Sequence, residues 1–392
     1  MTETADRFAA ELARLKAERG LSYRALAAIT TYSVSYVEEL AKGKKPANLA
    51  VAARLDETLG TGCRFAEILR SPEDDEADAE LEAIELIRRV AATDVSPETL
   101  DRLERAVDSM AMAYATTPPD RLLPRVRRHL SYVDRLVGAR KTLAQGRRLL
   151  VIGGWLSLLR ATLHIDLRQV NAATAHLEAA AEMAGQVGHD EIRAWCLETR
   201  AWQVLTAGDY RQALGLAQQA QAVAPAGSSV HVQATAQEGR AWARLGDRVR
   251  TGEVLAKVEQ LAGNRARPQH PEHHYQYDPA KAHSYAATTL AWAGDPAAVS
   301  VAQDVIEELQ QDGARPRRVA SARLDLGLAL LSAKKPDEAA AQARAAILSG
   351  RVVPSNWWRA AEVVGGVRES GAPEAGDLVE LAHEYRPAIT AS

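Results

Sequence analysis

The dipeptide Gly-Asp recurs at residues 208, 246 and 294, and the triplet Arg-Ala-Trp at 193–195, 200–202 and 240–242, in a stretch whose apolar residues keep helical spacing. The two Gly-Asp intervals, 38 and 48 residues, are close to one helix hairpin plus a variable loop. A single hairpin cannot bury its apolar face alone, so consecutive hairpins must stack and share one continuous core. The spacing predicts hairpins over 147–186, 194–225, 229–262, 280–311 and 317–349. No alternating strand pattern of convincing length occurs anywhere, so the fold class is all-α.

The clearest unit, Ala194 to Pro225, resembles a tetratricopeptide repeat: Ala201, Ala213 and Ala220 stand where close helix contact needs small residues, and Pro225 ends the second helix. The resemblance implies a superhelical array of tetratricopeptide-like hairpins with a concave face over 146–392, serving dimerisation, ligand sensing or both. Connecting helices are expected over 81–145, with starts such as Ser96-Pro97 and a break at Pro118-Pro119.

Composition changes near residue 70. Both Phe residues, Phe8 and Phe65, precede that point and all seven Trp lie beyond 150, so two differently built cores are expected. The run SPEDDEADAE at 71–80 has six acids and no base and reads as a solvated linker; a sharper reading lays it over a nearby basic segment, where it competes with phosphate. The net charge of −3 excludes a uniformly basic nucleic-acid coat, so any such binding must be local. There is no run of eighteen apolar residues and no secretory leader pattern, so a cytoplasmic protein without a membrane partner is expected. Cys63 and Cys196 are too few for a disulfide framework or a zinc site and read as buried thiols.

The head, 1–70, contains LSYRALAAITTYSVSYVEELAKGKKP at residues 21–46. Ser22 can cap a helix that turns Leu21, Leu26 and Ile29 inward; residues 30–33 interrupt it; Ser33 caps a second helix, Val34 to Lys42, stopped by Gly43. Val37 and Leu40 face inward at i, i+3, leaving Val34, Ser35 and Glu39 outward. Lys42, Lys44 and Lys45 follow at the exit, placed to neutralise phosphates. Leu12, Leu15, Leu49, Ala52, Leu55 and Leu59 supply the flanking helices that such a pair needs.

Residues 7–69 resemble the Xre/Cro class of helix-turn-helix domains. The resemblance implies base-edge contacts from Val34, Ser35 and Glu39, with Ser22, Tyr23, Ser33 and the basic exit on the DNA backbone. Two departures stand out: the turn position that is usually glycine is Thr31, and the recognition helix carries adjacent acids, Glu38 and Glu39. The whole chain, from 7 to about 360, is similar to bacterial Xre-type regulators with a tetratricopeptide-like C-terminal domain, RLDETLGTG, HPEHHYQYDPAK and SGRVVPSNWWRA included. That implies a cytoplasmic transcriptional regulator whose partners are a palindromic operator in double-stranded DNA, a second copy of itself, and a small-molecule or peptide effector.

Two stretches hold more chemistry than hairpins require. In HPEHHYQYDPAK, residues 270–281, the His, Glu272 and Asp278 invite a metal, but adjacent His273 and His274 in a Pro-bounded loop lack the helical i, i+4 pair that aims two imidazoles at one ion. The plainer reading packs Tyr275 and Tyr277 on the next helix. In SGRVVPSNWWRA, residues 349–360, Asn356, Trp357 and Arg359 either meet an effector or form a helix sealing the last hairpin. The effector candidates are then Trp202, His273, His274, Tyr277, Asn356, Trp357 and Arg359. No cofactor, metal or catalytic residue is expected, since phosphate-binding glycine loops and nucleophile elbows are missing. The rival to a DNA-binding regulator is an interaction scaffold whose head no longer binds DNA.

Overall fold

The structure, a computed structural model, describes residues 3–69, 72–90, 94–263, 268–270, 272–277, 279–311 and 315–386. Among these every regular element is helical, and the chain divides into two compact units at Glu85/Leu86.

The first unit contains α1 (Glu3–Glu18), α2 (Tyr23–Thr30), α3 (Val34–Ala41), α4 (Leu49–Leu59) and α5 (Arg64–Ile68). Local chemistry sets each start: the Ser22 hydroxyl accepts from Ala25 N at 3.1 Å, Ser33 from Tyr36 N at 3.1 Å, and Asn48 Oδ1 from Val51 N at 2.9 Å. Leu12, Leu15, Leu26, Val37, Leu40, Ala52, Leu55 and Leu59 are buried together, closed at one end by Phe8 against Phe65 at 5.1 Å between ring centroids. Ile29, expected inside, is 46% exposed: Leu26, Ala27 and Thr30 fill the inner face of the two-turn α2. Cys63, expected buried, is exposed just ahead of α5, whereas Cys196 is buried.

The acidic run expected as a linker falls in α6 (Pro72–Val90). Proline at the first helical position, acids in the first turn and the helix-forming Glu and Ala that follow all favour this. Ser71 and the side chains of 72–78 lie outside the described residues, and with them the reading that this run covers the basic segment.

Beyond the end of α6, the second unit contains α7 (Pro97–Ala113), capped by Ser96, and α8 (Pro119–Val137). Five hairpins follow: α9 (Leu143–Asp166) with α10 (Val170–Val187), α11 (Asp190–Thr206) with α12 (Tyr210–Val223), α13 (Ser229–Leu245) with α14 (Arg248–Gly263), α15 (Pro279–Ala293) with α16 (Ala298–Gln311), and α17 (Pro316–Ser332) with α18 (Pro336–Leu348). A 3-10 turn (Pro354–Asn356) leads to α19 (Trp357–Glu369) and α20 (Ala375–Tyr385). The α9 helix is long and apolar enough to cross a membrane, yet 78% of its most apolar window is buried inside the array. Ala201, Ala213 and Ala220 are fully buried where α11, α12 and α13 approach.

One kind of turn joins the two helices in all five hairpins. Gly208, Gly246 and Gly294 adopt φ of 92°, 79° and 66°, and the N–H of each following Asp bonds a carbonyl five residues back, at 3.0–3.1 Å. The aspartate then caps the next helix: Asp209 Oδ1 accepts from Gln212 N and Asp247 Oδ1 from Arg250 N, both at 3.0 Å. The first and last hairpins make the same bond, Gln169 N to His164 O and Lys335 N to Leu330 O, with Arg168 (φ 60°) and Lys334 (φ 59°) in the left-handed position. The repeat is regular where its sequence is not.

Candidate functional site

In the first unit, the two short helices α2 and α3 are fixed by their caps and by the turn between them. Thr31 takes φ 61°, a conformation costly for a β-branched residue. Arg54, from α4, donates Nε to Thr30 O at 2.8 Å and Nη2 to the Thr31 hydroxyl, so a side chain offsets strain that glycine would avoid. The second departure resolves in part as well: Glu38 accepts from Lys42 one turn on, and that pairing lowers the Glu38 pKa. Lys42 is therefore engaged within α3, while Lys44 is exposed and Lys45 lies over the Tyr36 ring at 5.0 Å.

Val34 is 41% exposed, Ser35 is exposed, and Glu39 is half-buried without an ion pair among the described residues. Tyr23 is half-buried beneath Lys16, whose Nζ sits 4.5 Å from the ring centroid. Ser22 and Ser33 use their oxygens as acceptors in capping, which leaves each O–H able to donate. The string RLDETLGTG also acquires a reason. Buried Asp56 accepts from Thr61 Oγ1 at 2.6 Å and from Phe65 N and Ala66 N at 3.0 Å, closing the start of α5.

Residues 7–68 match the family profile described as a helix-turn-helix domain. This segment is a helix-turn-helix domain. Its second helix, α3, presents the outward face just described. No curated protein matches the chain. Among solved structures, the crystal structure of Bacillus thuringiensis PlcR in complex with the peptide PapR7 and DNA aligns with 98% of this chain and 99% of that one, at 9% identity and a TM-score of 0.30. A likeness that low says nothing of ligand or partner.

In the second unit, the first helix of each hairpin lines a cavity of about 240 Å³. Asp166, at the end of α9, ties four elements around it: its carboxylate accepts from Tyr114 Oη at 2.9 Å, from Ser355 Oγ at 3.0 Å and from Arg317, which also donates to Tyr114 O at 2.8 Å. Across the cavity Asp325 accepts from Thr288 and from Arg359. Glu198 receives the Gln233 amide at 3.1 Å, and burial pushes its carboxyl up to about 7. Burial, then the nearby Arg359 charge, pulls the Arg240 guanidinium down to about 10. Aromatic surface comes from Trp195, Trp202 and Tyr285.

The segment 272–277 closes one side. Lys281 donates to the carbonyls of His273, His274 and Gln276, and His274 N bonds Ala111 O at 3.1 Å. The His274 ring packs tilted against Tyr114, 4.2 Å between centroids, and burial, then the Lys281 charge, holds its pKa well below the ordinary imidazole value. Tyr275 packs on Trp155 and Trp195 at 4.7 and 5.3 Å.

Of the effector candidates, Trp202, His274, Asn356 and Arg359 line the cavity. His273, Tyr277 and Trp357 do not. His273 faces Asp108 of α7 at 3.3 Å; Tyr277 is core among Val232, Ala236, Val254 and Val258; Trp357 packs on the last hairpins, where its apolar area is sheltered. No group of metal-ligating side chains occurs among the described residues, and Asp278 lies outside them. The residues missed from sequence are Asp166, Glu198, Arg240, Arg317 and Asp325. All five lie on first helices; Asp166 and Asp325 each stand between two apolar residues, and that misplacement is the available signal, while Glu198, Arg240 and Arg317 carry none as clear.

Proposed function

We propose that the protein is a sequence-specific DNA-binding transcriptional regulator, dimeric, with α3 of each copy entering successive major grooves of a roughly palindromic operator. The observation that carries this is the outward face of α3: an exposed Val34 and Ser35 at a capped helix start, with Lys44 and Lys45 just beyond its end. Val34 offers apolar surface to a thymine methyl, Ser35 a hydroxyl to a donor or acceptor, and Glu39 an acceptor to a cytosine amino group. The repeat array supplies dimer contacts and, in its cavity, an effector site for a small molecule or peptide. An effector that favours one state shifts operator affinity by its difference in affinity between states, and no more.

The two departures that favour a scaffold with a silent head lose weight here, since Thr31 is held in the required turn and Glu38 is spent on Lys42. Site selection with the purified protein tests the proposal, and recovery of no enriched sequence would leave the scaffold. Replacing Lys44 and Lys45 by Ala should weaken binding to all sequences and flatten the salt dependence by about 0.9 log units for each phosphate that is no longer neutralised. An unchanged slope removes both lysines from the interface.

A further inference from the structure

The cavity contains an unbalanced charge with a shape. Five cationic side chains, Arg240, Lys281, Arg317, Arg318 and Arg359, line it against four carboxyl groups, Asp166, Glu198, Glu272 and Asp325, and a sixth cation, Arg315, stands against Glu272, so the charge around it is net positive by at least two. Three of the carboxyls are engaged by named cations or hydroxyls at the wall: Asp166 by Arg317, Asp325 by Arg359 and Glu272 by Arg315. Arg240 has no carboxylate partner among the described residues. It is 3% exposed, and its Nη1 donates to Gln237 Oε1 at 3.1 Å, while Nε and Nη2 have no hydrogen-bond partner among those residues. Those two N–H groups form one edge of the guanidinium, the parallel pair that matches the two oxygens of a carboxylate. Arg359, 6% exposed, likewise leaves Nε without a partner among them.

Buried donors of this kind are costly when unmet, and more so when charged. The faces of Tyr285 and Trp292, 5.1 and 4.9 Å from the Arg240 guanidinium carbon, offset part of the charge but accept neither edge hydrogen. The net positive surroundings favour an anion. A cavity of about 240 Å³ is below the roughly 300–1,000 Å³ usual for drug-sized ligands, which favours a small one. Trp202 and Tyr285, both partly exposed, supply flat apolar surface in the same space.

We infer that the cavity takes a small aromatic carboxylate, its charge held by the Arg240 and Arg359 guanidinium groups and its ring against Trp202 and Tyr285. This rests on reading the cavity as an effector site. Calorimetry on the full chain with indole-3-acetate and phenylacetate, each beside its primary amide, tests it. Both acids should bind, and each amide should bind at least tenfold more weakly. Arg240→Gln should lose at least tenfold in affinity for the acids while its melting temperature without ligand does not fall, because a buried unpaired charge has been removed. Arg240→Lys keeps the charge without the fork and should also bind the acids more weakly, which covers the case of a Gln variant that fails to fold.

Equal affinity for acid and amide, or full affinity in Arg240→Gln, overturns the carboxylate assignment and leaves the effector cavity standing. Binding of neither acid, with binding of the dipeptide Gly-Trp but not of its C-terminal amide, overturns the small-acid source. Operator binding by ligand-free protein is unaffected by any of these results, so the regulator reading fails or stands by its own test.

Discussion

Asp56 and Glu198 are both buried carboxyls, and their surroundings give them opposite characters. Asp56 is fully paired: two backbone N–H groups and the Thr61 hydroxyl donate to it. Asp56→Ala leaves buried donors unmet at the start of α5 and should destabilise the helix-turn-helix domain by about 2–3 kcal/mol, measured as a lower urea midpoint. Glu198 has one amide donor and little solvent, so its carboxyl titrates at about 7 and not at its ordinary 4.5. Below pH 4.5 the group is neutral in folded and unfolded chains alike. As pH rises from there to about 7 the unfolded chain releases this proton while the folded chain retains it, and folding loses up to about 3 kcal/mol. Glu198→Gln should therefore flatten the fall in stability across that window. An equally steep fall in the variant would place the titration elsewhere.

At the scale of elements, the turn between paired helices is the unit that repeats. Where the left-handed residue is glycine the sequence shows it, and three Gly-Asp pairs were enough to give the period. Arg168 and Lys334 adopt the same φ without the residue type that marks it, so the first and last hairpins were placed by helical spacing alone. Lys334 is exposed, and Lys334→Gly should raise stability by about 0.5–1 kcal/mol, relief of left-handed strain exceeding the entropy of an added glycine; a thermal melt showing no gain would mean the turn carries no strain. The Arg-Ala-Trp triplet shows the limit of such signals. In its first two copies the Trp, Trp195 and Trp202, faces the cavity, and in the third the Arg does, because the triplet sits at a different rotation on α13 than on α11.

For the whole molecule, the two compact units have separate cores, one closed by Phe and one rich in Trp, as the uneven aromatic distribution implied. The piece 1–85 should fold by itself and bind a half-site as a monomer, with affinity well below that of the full chain because the second copy no longer adds avidity. Sedimentation and operator titration check this. Undiminished affinity would locate the dimer contacts in the head.

The sequence by itself determined the class, the period of the hairpins, the caps at Ser22, Ser33 and Ser96, and the two inward residues of α3, Val37 and Leu40. Those features depend on neighbours a few residues apart, which a linear reading sees. Only the tertiary structure decided that Ile29 is exposed, that Arg54 holds Thr31, that His273, Tyr277 and Trp357 pack away from the cavity, and that Asp166, Glu198, Arg240 and Asp325 converge on it. In the head these depend on how α4 and its neighbours pack on the short helix pair, and in the array on how far every hairpin rotates against the next. That rotation is set by packing between residues far apart in the chain, such as Tyr114 with Arg317 and Arg244 with Glu362, and no local pattern encodes it.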